Sequence, residues 1–145
     1  GQMSLGLESG DNDTLAYIHK GETTDDFKRA AEVLHKYNIQ WKAYMIIGFP
    51  VDTEESILKS IEFVKNLHPF RITLSFFTPY RGTELFDEVK AMGLINDTYD
   101  LSLFAHQSPY NYFCPKITQE RYASLRNEVS LDIDNYNKQA LLTWK

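Results

Sequence analysis

The sequence predicts an α/β fold with parallel strands, and three observations predict it. Apolar runs of strand length occur near residues 3–7, 41–48 and 71–77. Each is followed within a few residues by apolar positions at helical spacing. The links between elements are only a few residues long, as right-handed βαβ units require. Three such units make half of a barrel or of a doubly wound sheet.

The first run ends in Glu8-Ser9-Gly10 and meets the turn residues Asp11, Asn12 and Asp13, after which Leu15 to His19 fit one or two helical turns. Thr23 with Asp26 is a capping pair, and Phe27, Ala30, Ala31 and Leu34 recur at helical spacing, which predicts a helix over 24–37 ended by Asn38. Trp41 to Phe49 is almost continuously apolar, which suits a parallel strand covered on both faces and stopped by Pro50. Thr53 caps the next helix, whose Ile57, Ile61 and Val64 share a face, and Glu54 and Glu55 sit where the helix dipole favours negative charge. That helix ends near His68-Pro69. From Arg71 to Thr78, Ile72, Leu74 and Phe76 alternate with Thr73, Ser75 and Phe77, so one face meets helices and the other lines a partly polar interior. Leu85, Phe86, Val89 and Met92 give a further helix, closed by Gly93. The segment 96–116 is irregular and aromatic, with Tyr99, Phe104, Tyr110, Tyr112 and Phe113, and reads as a loop packed over something. A long amphipathic helix opens at Thr118, with Ile117 and Tyr122 as a hydrophobic staple and Tyr122, Leu125, Val129, Ile133 and Tyr136 as its stripe.

At 145 residues, 43% apolar and 24% charged, the chain has the make-up of one folded domain, provided the fold closes on itself. The formal charge is −5 and the 15 Lys and Arg form no run, which excludes an electrostatic nucleic-acid footprint. No apolar stretch approaches the ~20 residues of a bilayer span, so no membrane partner is expected. Cys114 is the single cysteine; it closes no intrachain disulfide, builds no cysteine-only metal site, and points to a reducing cytoplasm. His19, His35, His68 and His106 have no metal-ligand spacing among themselves or with Cys114, so no metal ligands are expected in the chain. Asn12-Asp13-Thr14 and Asn96-Asp97-Thr98 match the glycosylation pattern, and without a secretory signal both read as chance.

Two stretches carry the functional signal. Gly6-Leu7-Glu8-Ser9-Gly10 and Tyr44-Met45-Ile46-Ile47-Gly48-Phe49-Pro50 each run from a buried strand into a glycine-containing turn and a helix, where parallel α/β proteins place ligands. Lys20-Gly21 lies between them, and Pro79-Tyr80-Arg81-Gly82-Thr83 follows the next strand. In this order the motifs resemble the back half of the radical S-adenosylmethionine (SAM) barrel, and by pattern its cobalamin-binding and methylthiotransferase-like branches. The resemblance covers residues 3–95. It implies half of a TIM-like (β/α)6 partial barrel, strands four to six, followed over 96–145 by the aromatic loop and the C-terminal helix.

As cofactors the resemblance implies SAM, lying across the strand ends, and a 4Fe-4S cluster on a three-cysteine loop that this sequence lacks; cobalamin stays open. By position, Glu8 falls where a polar side chain accepts hydrogen bonds from the SAM ribose, and Ser9 lies beside it. Lys20 falls where a basic residue meets the SAM carboxylate. Ile46 and Gly48 fall on the strand that contacts adenine, and Tyr44 stands where some members carry an aspartate for the ribose. The chemistry fits these roles: a carboxylate accepts two hydroxyls, and an ammonium neutralises a carboxylate as a point charge where an arginine would be bidentate. The resemblance names no catalytic residue in this chain.

Each residue also has an ordinary structural reading. Glu8 and Ser9 suit a solvated turn and a cap, Tyr44 to Ile47 suit core, Gly48-Phe49-Pro50 suits turn punctuation, and Lys20 suits a helix-end cation. The ordered combination favours the functional reading. On that reading the chain is the SAM-binding portion of a radical SAM iron-sulfur oxidoreductase or transferase, whose intact form cleaves SAM to a 5′-deoxyadenosyl radical. Thr73, Ser75 and Phe77 would line its cavity, and the chain alone is expected to be inactive, its cluster ligands lying in a missing N-terminal half-barrel. The alternative is a non-catalytic barrel fragment or self-associating interaction module, because three parallel strands leave open edges and a bare face.

Overall fold

The computed structural model describes residues 2–95, 108 and 111–144. Three parallel strands, β1 (Gln2–Glu8), β2 (Gln40–Ile47) and β3 (Arg71–Phe76), form one open sheet in chain order. Five helices accompany it among the described residues: α1 (Asn12–Tyr17), α2 (Thr24–Lys36), α3 (Glu54–Asn66), α4 (Glu84–Ala91) and α5 (Gln119–Thr143).

Local chemistry sets the helix ends. The Asp11 carboxylate accepts the Thr14 N–H and hydroxyl at 3.1 and 3.0 Å. α1 therefore starts at Asn12, ahead of the expected Leu15, because Asp11 acts as the cap where turn chemistry alone was expected. Asp26 reaches back to the Thr23 N–H at 2.8 Å, and α2 gives way at Asn38, whose φ of +52° is left-handed. Thr53 and Ser56 exchange reciprocal bonds at the start of α3, Thr118 caps α5 as the sequence predicts, and Thr83 caps α4.

The sheet has one covered face. Leu7, Trp41, Ala43, Met45, Ile47, Ile72 and Phe76 pack against Phe27, Ala31 and Leu34 of α2, Ile57, Ile61 and Val64 of α3, and Tyr122, Leu125, Val129 and Ile133 of α5. Each large side chain buried here contributes about 1.5–3 kcal/mol. On the other face Ser4, Gly6 and Tyr44 are exposed, and Lys42, Ile46, Thr73 and Ser75 are half-buried. The expectation that β2 is covered on both faces is thus corrected: Tyr44 keeps 43% of its surface, since no layer among the described residues lies over it.

α5 lies on the covered side, alongside α3 and in the same direction. Arg121 pairs with Glu54 near both helix starts, and Lys65 pairs with Asp132 at 2.9 Å further on. Its far end reaches the free edge of β3 through Asn137. Of the predicted aromatic loop, Tyr99, Phe104 and Tyr110 fall outside the described residues, whereas Phe113 and Cys114 are buried. Phe113 joins Phe49, Phe77, Phe86 and Val89 in a second apolar cluster that includes residues of the loops after β2 and β3. No helix among the described residues is long and apolar enough to cross a membrane.

Candidate cofactor-binding site

The carboxyl end of β1 is irregular. Gly6 pairs with Tyr44 but Glu8 pairs with the next residue, Met45, so Leu7 is an extra residue, and Glu8 adopts a left-handed φ of +70°. This geometry separates two neighbours. Glu8 lines a cavity of about 240 Å³ on the bare side of the sheet, together with Ile18, Ile46, Phe49, Phe77 and Pro79. Ser9 is buried and committed elsewhere: its Oγ lies 3.1 Å from Ser60 Oγ of α3 and accepts the Asp11 N–H at 3.1 Å.

Lys20 arrives from the turn after α1, where its N–H bonds to Leu15 O at 3.0 Å and His19 is left-handed at φ +55°. Its Nζ lies 4.0 Å from Glu8 Oε1 and 3.7 Å from Glu22 Oε1, and the side chain is 19% exposed. It sits over bare backbone, since a Cβ on Gly6 would stand 3.9 Å from Nζ. Tyr44 is in register with Gly6 on one side and Thr73 on the other. The structure therefore brings Glu8, Lys20, Tyr44 and Ile46 together on one face at the strand ends. Gly48 lies at the same end, in the turn behind them.

That turn rests on a residue the sequence reading did not single out as a site. Asp52 is 3% exposed; its Oδ2 accepts the Gly48 and Phe49 N–H groups, each at 3.0 Å, and its Oδ1 accepts from Ser56 Oγ at 2.9 Å. Burial raises its carboxyl above the ordinary carboxylate value, and these hydrogen bonds oppose the rise. Gly48 itself has φ +92°, and a Cβ there would meet Tyr122 Oη at 2.1 Å.

Larger clefts lie elsewhere, including one of about 530 Å³ lined by His35, His68 and Trp144, but none of the residues expected to bind cofactor lines it. Among the described residues no group of three His, Cys, Asp or Glu is placed to hold a metal ion. Cys114 is fully buried, and burial together with the nearby Asp52 charge pushes its thiol up to about 12, the opposite of a ready thiolate ligand. His106 lies outside the described residues.

The radical SAM superfamily model matches residues 1–64. Residues 1–64 are thus similar to part of a radical SAM domain. It is 34% identical over 90 residues to the bacteriochlorophyllide d C-12(1)-methyltransferase of Chlorobaculum tepidum, covering 61% of this chain and 20% of that protein. Over 90 residues it is 31% identical to the tRNA-2-methylthio-N(6)-dimethylallyladenosine synthase of Buchnera aphidicola, with the same two coverages, 61% and 20%. A probable threonylcarbamoyladenosine tRNA methylthiotransferase of Pyrococcus abyssi is 26% identical over 83 residues, 56% of this chain and 20% of that one. The matched stretch thus spans about a fifth of the length of these relatives. Within the segment that the family model matches, the two motif stretches are the carboxyl ends of β1 and β2, side by side. A carboxylate, an ammonium and apolar walls at one sheet edge suit a small zwitterionic ligand with an aromatic part.

Proposed function

We propose that this chain forms the SAM-binding part of a radical SAM enzyme of the methyl- or methylthio-transferring kind named among its relatives. The observation that carries the reading is that Glu8 and Ile46 line one cavity while Lys20 stands 4.0 Å from Glu8, all within or beside the segment matched by the family. The donor set fits SAM. Glu8 accepts from the ribose hydroxyls, Lys20 takes the methionine carboxylate, Ile46 and Phe49 supply apolar surface for adenine, and Tyr44 offers a phenol beside Gly6. Gly48 contributes backbone, and Ser9 supports Glu8 by pinning the turn to α3.

When bound, SAM supplies the group whose reductive cleavage gives this superfamily its radical chemistry. The chain's own share is to hold the two ends of SAM apart, one at Lys20 and one against Ile46, and to keep water from the apolar wall. The cluster does not fit the described residues, so its ligands are assigned to a companion half-barrel of the same protein, laid against the open edge of β1. A reducing cytoplasm suits such a pairing.

A second reading has one observation in its favour. Among the described residues β1 has a partner strand on one side only and no layer lies over Tyr44, so a second copy of the chain could bury both. Sedimentation over a range of concentrations separates the two: association would support self-burial, and a monomer that binds SAM would support the first reading.

Titration calorimetry with SAM tests the assignment directly. The wild-type chain is expected to bind saturably, Glu8→Gln and Lys20→Ala to weaken binding by about tenfold, the loss of a charge-assisted bond, and Glu32→Gln on the outer surface of α2 to leave it unchanged. No saturable binding by the wild-type chain, or equal binding by all four proteins, would overturn it.

A further inference from the structure

We propose that Tyr122 is a positioning residue of the SAM site, and that through it α5 sets the conformation of the Gly48–Phe49 turn. Its functional half rests on the SAM-binding reading above, and its structural half on contacts alone. Tyr122 lies in the first turns of α5, outside the residues matched by the family.

Tyr122 is 2% exposed, and its Oη lies 3.4 Å from Ile47 O, the last carbonyl of β2. The next residue is Gly48, whose missing Cβ is what lets the hydroxyl approach, since a methyl there would stand 2.1 Å away. From the other flank the Asp52 carboxylate takes the Gly48 N–H at 3.0 Å. The turn is therefore held between α3 and α5, with its carbonyl side on Tyr122 and its N–H side on Asp52.

The tyrosine is itself fixed. The Arg126 guanidinium lies 5.4 Å from the centre of its ring and 4.9 Å from that of Phe76, and donates to Ser108 O at 3.0 Å. Tyr112 packs on it with ring centres 5.9 Å apart. Beyond the turn, Phe49 forms part of the cavity wall and meets Phe77 at 5.1 Å, which meets Phe113 at 6.0 Å. A shift of Gly48 is thus transmitted to the wall where the adenine would lie.

A core tyrosine would act through its ring, whereas positioning of Gly48 acts through its hydroxyl. Tyr122→Phe keeps the ring and removes the hydroxyl. In the full chain it is expected to lower SAM affinity about fivefold, and to speed amide hydrogen exchange at Gly48 and Phe49 relative to Val64 in α3. Gly48→Ala is expected to lower affinity further, and the double variant to recover part of that loss because the collision with Oη is gone. Asn137→Ala, at the far end of α5, controls for stability and is expected to leave SAM affinity unchanged. Unaltered affinity and unaltered exchange in Tyr122→Phe would overturn the assignment, as would an equal affinity loss in Asn137→Ala. If the wild-type chain binds no SAM, the functional half falls with the reading above, and exchange at Gly48 and Phe49 alone decides whether Tyr122 holds the turn.

Discussion

The side chain of Asn137 pairs with both backbone groups of Ile72. Its Oδ1 accepts the Ile72 N–H at 2.8 Å and its Nδ2 donates to the Ile72 carbonyl at 2.9 Å. A primary amide presents the same acceptor and donor as the peptide of a neighbouring strand, so α5 closes the edge of β3 without adding a strand. Among the described residues the two edges of the sheet are therefore unlike: that of β3 is met at Ile72 from within the chain, and that of β1 has no partner strand.

Asn137→Ala is expected to lower stability by about 1–2 kcal/mol, the cost of leaving a partly buried donor and acceptor unmade. Urea unfolding should show a lower midpoint with an unchanged slope. Asn137→Asp is expected to be no better, because at neutral pH a carboxylate can accept the Ile72 N–H but cannot donate to its carbonyl. An unchanged midpoint in both variants would show that the pairing contributes nothing.

Asp52 sets a pH dependence of definite sign. Burial raises its folded-state pKa above the ordinary value of 3.8, against the opposing hydrogen bonds. Proton uptake by Asp52 thus favours the folded chain, so its contribution is fully present below 3.8 and is lost as pH rises through the folded-state value. Asp11 has the opposite sign: despite burial, the Thr14 N–H and Lys59 lower it, and its contribution is lost as pH falls. Comparison with Asp52→Asn isolates the first effect. The stability of the wild type relative to that variant is expected to fall as pH rises above 3.8; a constant difference in urea midpoint would refute it.

The Cys114 thiol, fully buried and pushed up to about 12, is expected to be inert in the folded chain. A maleimide at about pH 8 should label the urea-unfolded chain to completion while leaving the native chain unlabelled. Rapid labelling of the native chain would show that residues 111–117 do not hold the burial described for them.

Much of this was legible in the sequence because it is local. Thr53 and Thr118 announce their helices, the apolar runs announce the strands, and the motifs at Glu8 and Ile46 fall at one edge of the sheet. Contacts between distant residues were not legible. Asn137 reads as one more polar residue between Tyr136 and Lys138, and nothing near it in the chain signals Ile72, 65 residues away. Ser9 and Glu8 read as a pair, yet an extra residue and a left-handed φ send them to opposite sides. The run from Trp41 to Ile47 also looks the same whether one face of its strand is covered or both, which is why the exposure of Tyr44 went unseen.

The place of α5 has a consequence for the order of synthesis. Leu125, Val129 and Ile133 help complete a core whose other walls come mostly from residues 7–76. While the ribosome is still adding the stretch before Thr118, Met45, Ile47 and Ile72 have their strands and α2 and α3 but not α5, and the edge of β3 still lacks Asn137. The nascent chain therefore passes through an interval in which the part of the sheet face that α5 covers is still wet, the condition that recruits chaperones and favours clumping. Slower elongation through residues 77–118 would prolong that interval, whereas rapid delivery of α5 would end it.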